Sequence, residues 1–344
     1  MPDEHLYDVV VVTHGHAQTL PACLGAVAGL VPAPRSVVVV DNASGDASAE
    51  MAAAWHDRLP LEVLRRPDNS GFAAGLNQGL SRSTAPWVLS LNPDCAPRPD
   101  FVARLLELMC AAPQAEGVGA VTGRLLRGRG PGIEPEGVLD AAGMVVTPSG
   151  RHLDRGAGEP DDGRYGQAAR VFGGTAAATL YRRHALEDVA YPDGQVLAES
   201  FFAYREDAEL AWRLQWRGWS CLYAPLAVAI HRRGFRPEAG RRGHDLVNLH
   251  SVKNRFLLRL HCADLAWHLR CFPWWLLRDL AVVAACLSVE TSSLPALRQL
   301  WRLRKDARRR RRWVLSRATA APREVAGWFR RGGHAESLQP TAGP

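Results

Sequence analysis

The chain has 344 residues, 47% of them hydrophobic and 22% charged, with a formal net charge of +7 at pH 7. A chain of that length can bury the core of one large domain or two unequal ones, and its composition excludes disorder for most of it. Seven scattered cysteines, odd in number and without a C-x-x-C pair, exclude a disulfide framework or zinc ribbon and fit a reducing compartment.

The acidic start MPDEHLYD leads straight into a strand, so no signal peptide is expected. YDVVVVTHG and SVVVVDNAS are β-branched runs that end in turn residues, as buried parallel strands do. Between them AQTLPACLGAVAGLV has helical spacing. A second helix follows in ASAEMAAAWHDR, a third strand in LEVLRR, a third helix in GFAAGLNQGLSRS and a fourth strand in APWVLSLN. This alternation predicts an α/β fold with an open, doubly wound, mostly parallel sheet. Ligands of such sheets bind beyond the carboxyl ends of the strands, where Thr13, Asp41 and Asp94 lie.

From Arg124 to Gly166 the texture turns to Gly, Pro and charge, and a loop that long is either functional or poorly ordered. Short apolar pieces such as GMVVTPSGR suggest hairpins within it. Regular structure resumes with ARVFGGTAAATLYRRHAL; AYREDAELAWRLQWRGW then reads as an amphipathic helix and SCLYAPLAVAIH as a strand. Past Asn248 the pattern is helical and rich in Trp and Arg. The expected organisation is a catalytic domain over 1–255, a basic helical extension over 256–335 and a disordered tail over 336–344.

The first strand–helix junction, THGHAQTL, lacks the G-x-G-x-x-G of a dinucleotide binder, and no G-x-x-x-x-G-K-[ST] loop occurs. A nucleotide would therefore be held by side chains and a metal. Asp41 can accept hydrogen bonds from a ribose or base edge, or merely start a turn or cap the next helix. Asp94, in LNPDCAP, is either a turn residue or a ligand for Mg2+ or Mn2+ bridging a diphosphate. Glu206 and Asp207 open a helix, where the dipole alone favours acids. Their place after the aromatic patch ESFFAYR also suits a partly desolvated base. A lone His231 closing a strand is more often structural than a metal ligand.

Taken in order, Asp41, Asn92-Pro93-Asp94, Gly173-Gly174, Glu206-Asp207 and His231 resemble the inverting family 2 glycosyltransferases of the nucleotide-diphospho-sugar transferase fold. The resemblance spans roughly residues 7 to 260, through VVDNASGD, NSGFAAGLNQGL, LSLNPDCAP and ESFFAYREDAELAWRLQWRGWSCLYAPLAVAIH. The stretch GRHLDRGAGEPDDGRYGQAARVFGGTAAATLYRR is similar to the subgroup acting on polyprenyl-diphosphate-linked sugars, often rhamnosyltransferases. The resemblance implies that Thr13, Asp41, Asn77, Asn92 and Asp94 bind the donor, and that Asp94 and His231 hold a Mg2+ or Mn2+ ion. It implies Asp207 as general base, with Glu206, Gly173 and Gly174 near the acceptor. Two departures are Thr13-His14-Gly15 where the family usually has T-Y-N, and Ala198 where an acid commonly precedes Glu199.

Between Arg302 and Arg312 stand eight basic residues against one acid. A solvated helix face, a disordered tail and nucleic-acid binding are all compatible with that run, although no nucleic-acid motif accompanies it. Membrane-surface attachment is favoured, because FPWWLLRDLAVVAACL just upstream supplies tryptophans and an apolar face. Arg278 and Asp279 interrupt that stretch before it reaches the ~20 apolar residues of a membrane span. The expectation is a cytoplasmic enzyme, peripheral on the inner membrane face, using a nucleotide-diphospho-sugar donor and a lipid-linked or glycan acceptor for cell-envelope polysaccharide synthesis. It would bind an anionic membrane surface and no nucleic acid. Alternatives are a non-catalytic sugar-nucleotide-binding protein of the same fold, or a nucleotidyltransferase.

Overall fold

The computed structural model describes residues 6–112, 115–234 and 245–338. Strands and helices alternate through β1 (Tyr7–Thr13), α1 (Leu20–Ala28), β2 (Ser36–Asp41), α2 (Ser48–Ala53), β3 (Leu61–Arg65), α3 (Phe72–Arg82) and β4 (Trp87–Leu91). β1 and β4 are buried along their whole length and β2 from Val37 onward. Helices cover both faces, which is why these strands read as continuous apolar runs. Gly75 and Gly79 let α3 lie directly on β1: a Cβ there would come within 2.6 Å of Val12 and 2.2 Å of Val10.

The chain continues through β5 (Cys95–Pro97), α4 (Phe101–Ala111), β6 (Val118–Arg129), β7 (Glu134–Ala141), β8 (Met144–Val146) and β9 (His152–Asp154). Then come β10 (Ala169–Val171), β11 (Ala178–Arg182), α5 (Arg183–Val189), α6 (Glu206–Trp216) and β12 (Ser220–His231). The C-terminal part holds α7 (Asp245–Cys262), α8 (Leu265–Cys271), α9 (Trp274–Ser288), α10 (Leu294–Ser316), α11 (Pro322–Gly327) and β13 (Glu336–Ser337).

The central sheet has the order β13-β10-β12-β6-β11-β4-β1-β2-β3. β1 to β4 are mutually parallel, and β12 runs parallel to β6. β11 is antiparallel to both β4 and β6, so the sheet is mixed, and its β1–β4 half has the parallel arrangement expected. β12 breaks register between Ala224 and Val228, a bulge that contains Pro225, which has no N–H to give the ladder. Beyond the bulge β12 pairs with β5 and β6 with β7. His231 thereby stands opposite Cys95, beside the turn that follows β4.

Three expectations need correction. The stretch 124–166 is strand-rich rather than one long loop, with GMVVTPSGR supplying β8 and the turn of a hairpin that β9 completes. The boundary placed at residues 255 and 256 falls inside α7. Glu336 and Ser337 are a strand paired with β10 rather than tail, and residues 339–344 lie outside the described residues. A single aromatic core joins α6 to the C-terminal helices, with Trp212, Trp216, Trp267 and Phe329 all buried within it. The indole of Trp216 donates to the Cys262 carbonyl at 2.8 Å.

α10 also departs from a free basic helix. Arg310 is buried, lies 4.3 Å over the Tyr191 ring, and pairs with Asp193 and Asp306 at 2.8 Å each. α8 and α9 instead carry the exposed apolar surface: Leu265, Leu269, Phe272, Leu277, Leu280 and Leu287 are each more than half exposed. Among the described residues no single helix is long and apolar enough to cross a membrane; α8 and α9 together are, but with an 82° bend.

Candidate active site

Thr13 and Asp41 are partners across β1 and β2, and Leu91 stands opposite Val11, so Asn92–Asp94 continue past the same sheet rim. Thr13 Oγ1, Asp41 Oδ1 and Asn42 Oδ1 are buried there and make no hydrogen bond among the described residues. Unsatisfied buried oxygens are costly unless a ligand completes them, at roughly 1–3 kcal/mol each. Three together at the carboxyl ends of parallel strands form a cradle for hydroxyl or amide donors.

Asp94 follows directly. Its Oδ1 lies 3.3 Å from His231 Nε2, and His231 Nδ1 lies 2.8 Å from Asp140 on β7. Asn92 Nδ2 is 3.4 Å from the same Nε2. Burial alone would raise the Asp94 carboxyl, but the His231 charge overrides it and holds the group at about 2. Burial likewise opposes the charge on His231, and Asp94 with Asp140 lift it to about 9. Arg233 continues the chain, reaching Asp140 at 3.0 Å and Asp154 on β9 at 2.7 Å. A line of alternating charge therefore runs Asp94–His231–Asp140–Arg233–Asp154.

The second acidic centre opens α6. Asp207 accepts from the backbone N–H of Ala208 at 2.8 Å and of Ala176 at 3.4 Å. Asn92 N–H donates to the Ala177 carbonyl at 2.9 Å, so the turn of Asp94 and the helix of Asp207 grip neighbouring residues of one short segment. Burial, then the charge of Asp154, pushes Asp207 up to about 6. Glu206 is pushed well above its ordinary range by burial and by Asp207, and its Oε2 has no partner among the described residues. Asp207, with two N–H donors, is the first of the pair to ionise.

The backbone leading into this helix is strained: Phe202, Tyr204 and Arg205 have φ of 68°, 70° and 73°, a left-handed conformation costly for non-glycine residues. α7 holds it in place. Asn254 donates to the carbonyls of Phe201, Ala203 and Tyr204 at 2.7 to 2.9 Å, and Lys253 to that of Ser200 at 2.7 Å. Below it, fully buried Glu209 receives Arg213 at 2.8 Å and His261 at 3.2 Å, and the Tyr191 hydroxyl donates to it. Burial opposes the charge on Glu209, yet Arg213 holds the group down at about 2.

Several residues depart from their expected roles. Asn77 is spent on the fold, with its side chain bonded to both N–H and carbonyl of Leu197 at 2.8 Å and to Glu199 at 3.0 Å. Gly173 and Gly174 leave no room for side chains of their own, since a Cβ would meet Ala211 at 2.4 Å and Thr179 at 2.3 Å. Both ring nitrogens of His231 are taken by carboxylates, which leaves no lone pair for a cation. No cluster of three or more His, Cys, Asp or Glu able to hold a metal occurs among the described residues. The donor set that does fit Mg2+ or Mn2+ is Asp94 with phosphate oxygens and water, because such ions take one or two carboxylates plus substrate phosphates. Asp140, Asp154, Arg233 and Asn254 escaped sequence reasoning because only strand pairing and helix packing bring them to the site.

The α/β fold is shared with several solved glycosyltransferases. One is the Pyrobaculum calidifontis mannosyltransferase PcManGT, solved with GDP-Man and Mn2+, at 19% identity, TM-score 0.51, and 93% and 85% coverage of the two chains. Residues 8–129 match the family model for Glycosyl transferase family 2, so β1 through β6 carry the sequence signature of that family. Curated relatives agree. The Mycobacterium tuberculosis N-acetylglucosaminyl-diphospho-decaprenol L-rhamnosyltransferase is 25% identical over 298 residues, 76% of this chain and 88% of the relative. The Staphylococcus aureus poly-beta-1,6-N-acetyl-D-glucosamine synthase is 23% identical over 220 residues, 64% of this chain and 48% of its own. The chain thus spans about half the length of that relative.

Proposed function

We propose that this chain transfers a sugar, with inversion, from a nucleotide-diphospho-sugar to a hydroxyl of a lipid-linked glycan. Asp207 carries this reading: it is a carboxylate raised to about 6, oriented by two backbone N–H groups, at the open start of a helix. The acceptor hydroxyl loses its proton to Asp207 as it attacks the anomeric carbon. A positioned base of matched pKa contributes roughly 10²–10⁴-fold. The nucleotide diphosphate departs on the opposite face, toward the rim of Thr13, Asp41 and Asp94. A divalent cation on Asp94 would neutralise the charge that develops on the leaving phosphate. Thr13 and Asp41 would meet the nucleoside with their unsatisfied oxygens, and Glu206, still protonated, would donate to the acceptor. One displacement needs no enzyme nucleophile.

The lipid-linked acceptor is supported by the mycobacterial relative, whose name specifies a decaprenol diphosphate acceptor, and by the exposed apolar residues of α8 and α9. Those residues, with the arginines of α10 alongside, would seat the enzyme on an anionic membrane surface. A catalytic domain in the N-terminal three quarters and a membrane-facing helical part would then share the aromatic core.

Thermal unfolding in the presence of UDP-, GDP- and dTDP-sugars, with Mn2+ or with a chelator, tests the donor half. One nucleotide class is expected to raise the Tm only with the metal. No shift with any of them contradicts the reading.

A further inference from the structure

A cavity of about 680 Å3 has Arg205, which directly precedes the Glu206-Asp207 pair, in its wall. That volume is within the roughly 300–1,000 Å3 typical of small-molecule sites. Six arginines line it, from six parts of the chain: Arg127 on β6, Arg151 before β9, Arg205 before α6, Arg233 after β12, Arg255 on α7 and Arg278 on α9. Asp154 and Glu290 share the lining, and Asp140 and Asp279 pair with Arg233 and Arg255 at 3.0 and 3.3 Å, so the arginines outnumber these carboxylates six to four. His152 adds no charge, since burial and then Arg205, Arg151 and Arg233 hold its imidazole well below its usual range. Converging guanidinium groups in a recess are the arrangement that phosphate oxygens select, through charge-assisted and bidentate hydrogen bonds.

Two neighbours narrow the ligand further. Arg205 directly precedes Glu206 and Asp207, and the Asp154 on the cavity wall is close enough for its charge to raise Asp207. An anion in the cavity is therefore next to the base, where an acceptor rather than a donor belongs. The far wall is α9, which turns Ala281, Val282 and Ala285 inward and leaves Leu277, Leu280 and Leu287 exposed outside. A chain leaving the cavity past α9 meets an apolar strip at once.

Resting on the transferase reading above, we propose that this arginine cavity binds the diphosphate of an isoprenoid-linked acceptor, with the lipid leaving over α9. The sugar attached to that diphosphate then reaches Asp207, and the donor diphosphate stays at the Asp94 rim. The two diphosphates occupy separate sites joined by the Asp94-to-Asp154 line of charges.

The test is titration calorimetry of the full chain with farnesyl diphosphate, inorganic pyrophosphate and farnesol, against the double variant R151E/R278E. Both arginines are exposed lining residues, so the fold should tolerate the exchange. Farnesyl diphosphate is expected to bind the wild-type chain, with pyrophosphate competing and farnesol not. The variant should weaken it at least about tenfold, as loss of charged hydrogen bonds does. UDP, GDP and dTDP with Mn2+, titrated in parallel, should bind both chains alike. An unchanged farnesyl diphosphate affinity in the variant overturns the proposal, and so does farnesol competing as well as pyrophosphate. Equal weakening of nucleotide and farnesyl diphosphate overturns the separation of the two sites. Nucleotide binding that persists in a wild-type chain blind to farnesyl diphosphate removes the cavity's role and leaves the transferase reading standing. Farnesyl diphosphate binding without any nucleotide binding does the reverse.

Discussion

The two sides of the site are built in opposite ways. On the proposed donor side Thr13 and Asp41 end β1 and β2 and Asp94 follows β4, so three strands adjacent in the sheet deliver them to one rim. On the acceptor side the groups come from β7, β9, the turn before α6, and α7 and α9, elements that share no local pattern. A rim made by repeated strand ends follows from periodicity alone. A cavity made where a hairpin meets helices exists only once the tertiary packing is complete. The donor side is thus general to a sheet of this kind, while the acceptor side is where this chain can be particular.

Substitutions separate the two sides, and the largest effect is expected at the base between them. Asp207→Asn should cost roughly 10²–10⁴ in kcat, with nucleotide binding kept. In the wild-type chain kcat/KM should fall as pH drops through about 6, because Asp207 is a base only when ionised. A flat profile across that window would remove the assignment.

Next comes the buried support under the acceptor side. Glu209→Ala strands the Arg213 charge and should cost about 3–5 kcal/mol in denaturant unfolding. Because the folded pKa of Glu209 is depressed to about 2, its contribution is present above the ordinary carboxylate range. It is lost as pH falls toward 2, a dependence the variant should lack. A smaller effect is expected at Asn254→Ala, which frees three carbonyls of the strained segment before α6. Misplacing the base this way should lower kcat by up to about 10²-fold, with donor KM unchanged. A loss confined to donor KM would move Asn254 to the wrong side of the comparison. The mildest effect belongs to the apolar strip: Leu277→Asp with Leu280→Asp should weaken sedimentation with phosphatidylglycerol vesicles while solution stability holds. Truncation before α10 cannot serve instead, because Ala307 and Val314 are part of the aromatic core.

How much is legible in the sequence follows the same division. Asp41, Asp94 and the Glu206-Asp207 pair are readable because each closes or opens a regular element. His231 stands out at the end of its strand, but its role as an ion-pair partner rather than a metal ligand does not. Asp140, which fixes that role, lies 91 residues away, and only the pairing of β5 and β7 around β12 and β6 brings the two together. Asn77 sits in a family-like segment, yet its amide is spent on Leu197, a contact no local pattern announces. The cavity arginines are hidden by abundance. In a chain whose cations are nearly all arginine, six that converge look like any other six until the fold collects them. The basic run of α10 misleads in the opposite direction, since Arg310 within it is an internal ion-pair partner.

Binding and turnover measured on the same two variants test the central claim most directly. With the nucleotide sugar that stabilises the chain in Mn2+, Asp207→Asn should bind donor as the wild type does and transfer at least about 10²-fold more slowly. Asp94→Ala should lose the metal-dependent binding itself. Turnover retained by Asp207→Asn, or metal-dependent donor binding retained by Asp94→Ala, would contradict the division of labour between the strand rim and the helix.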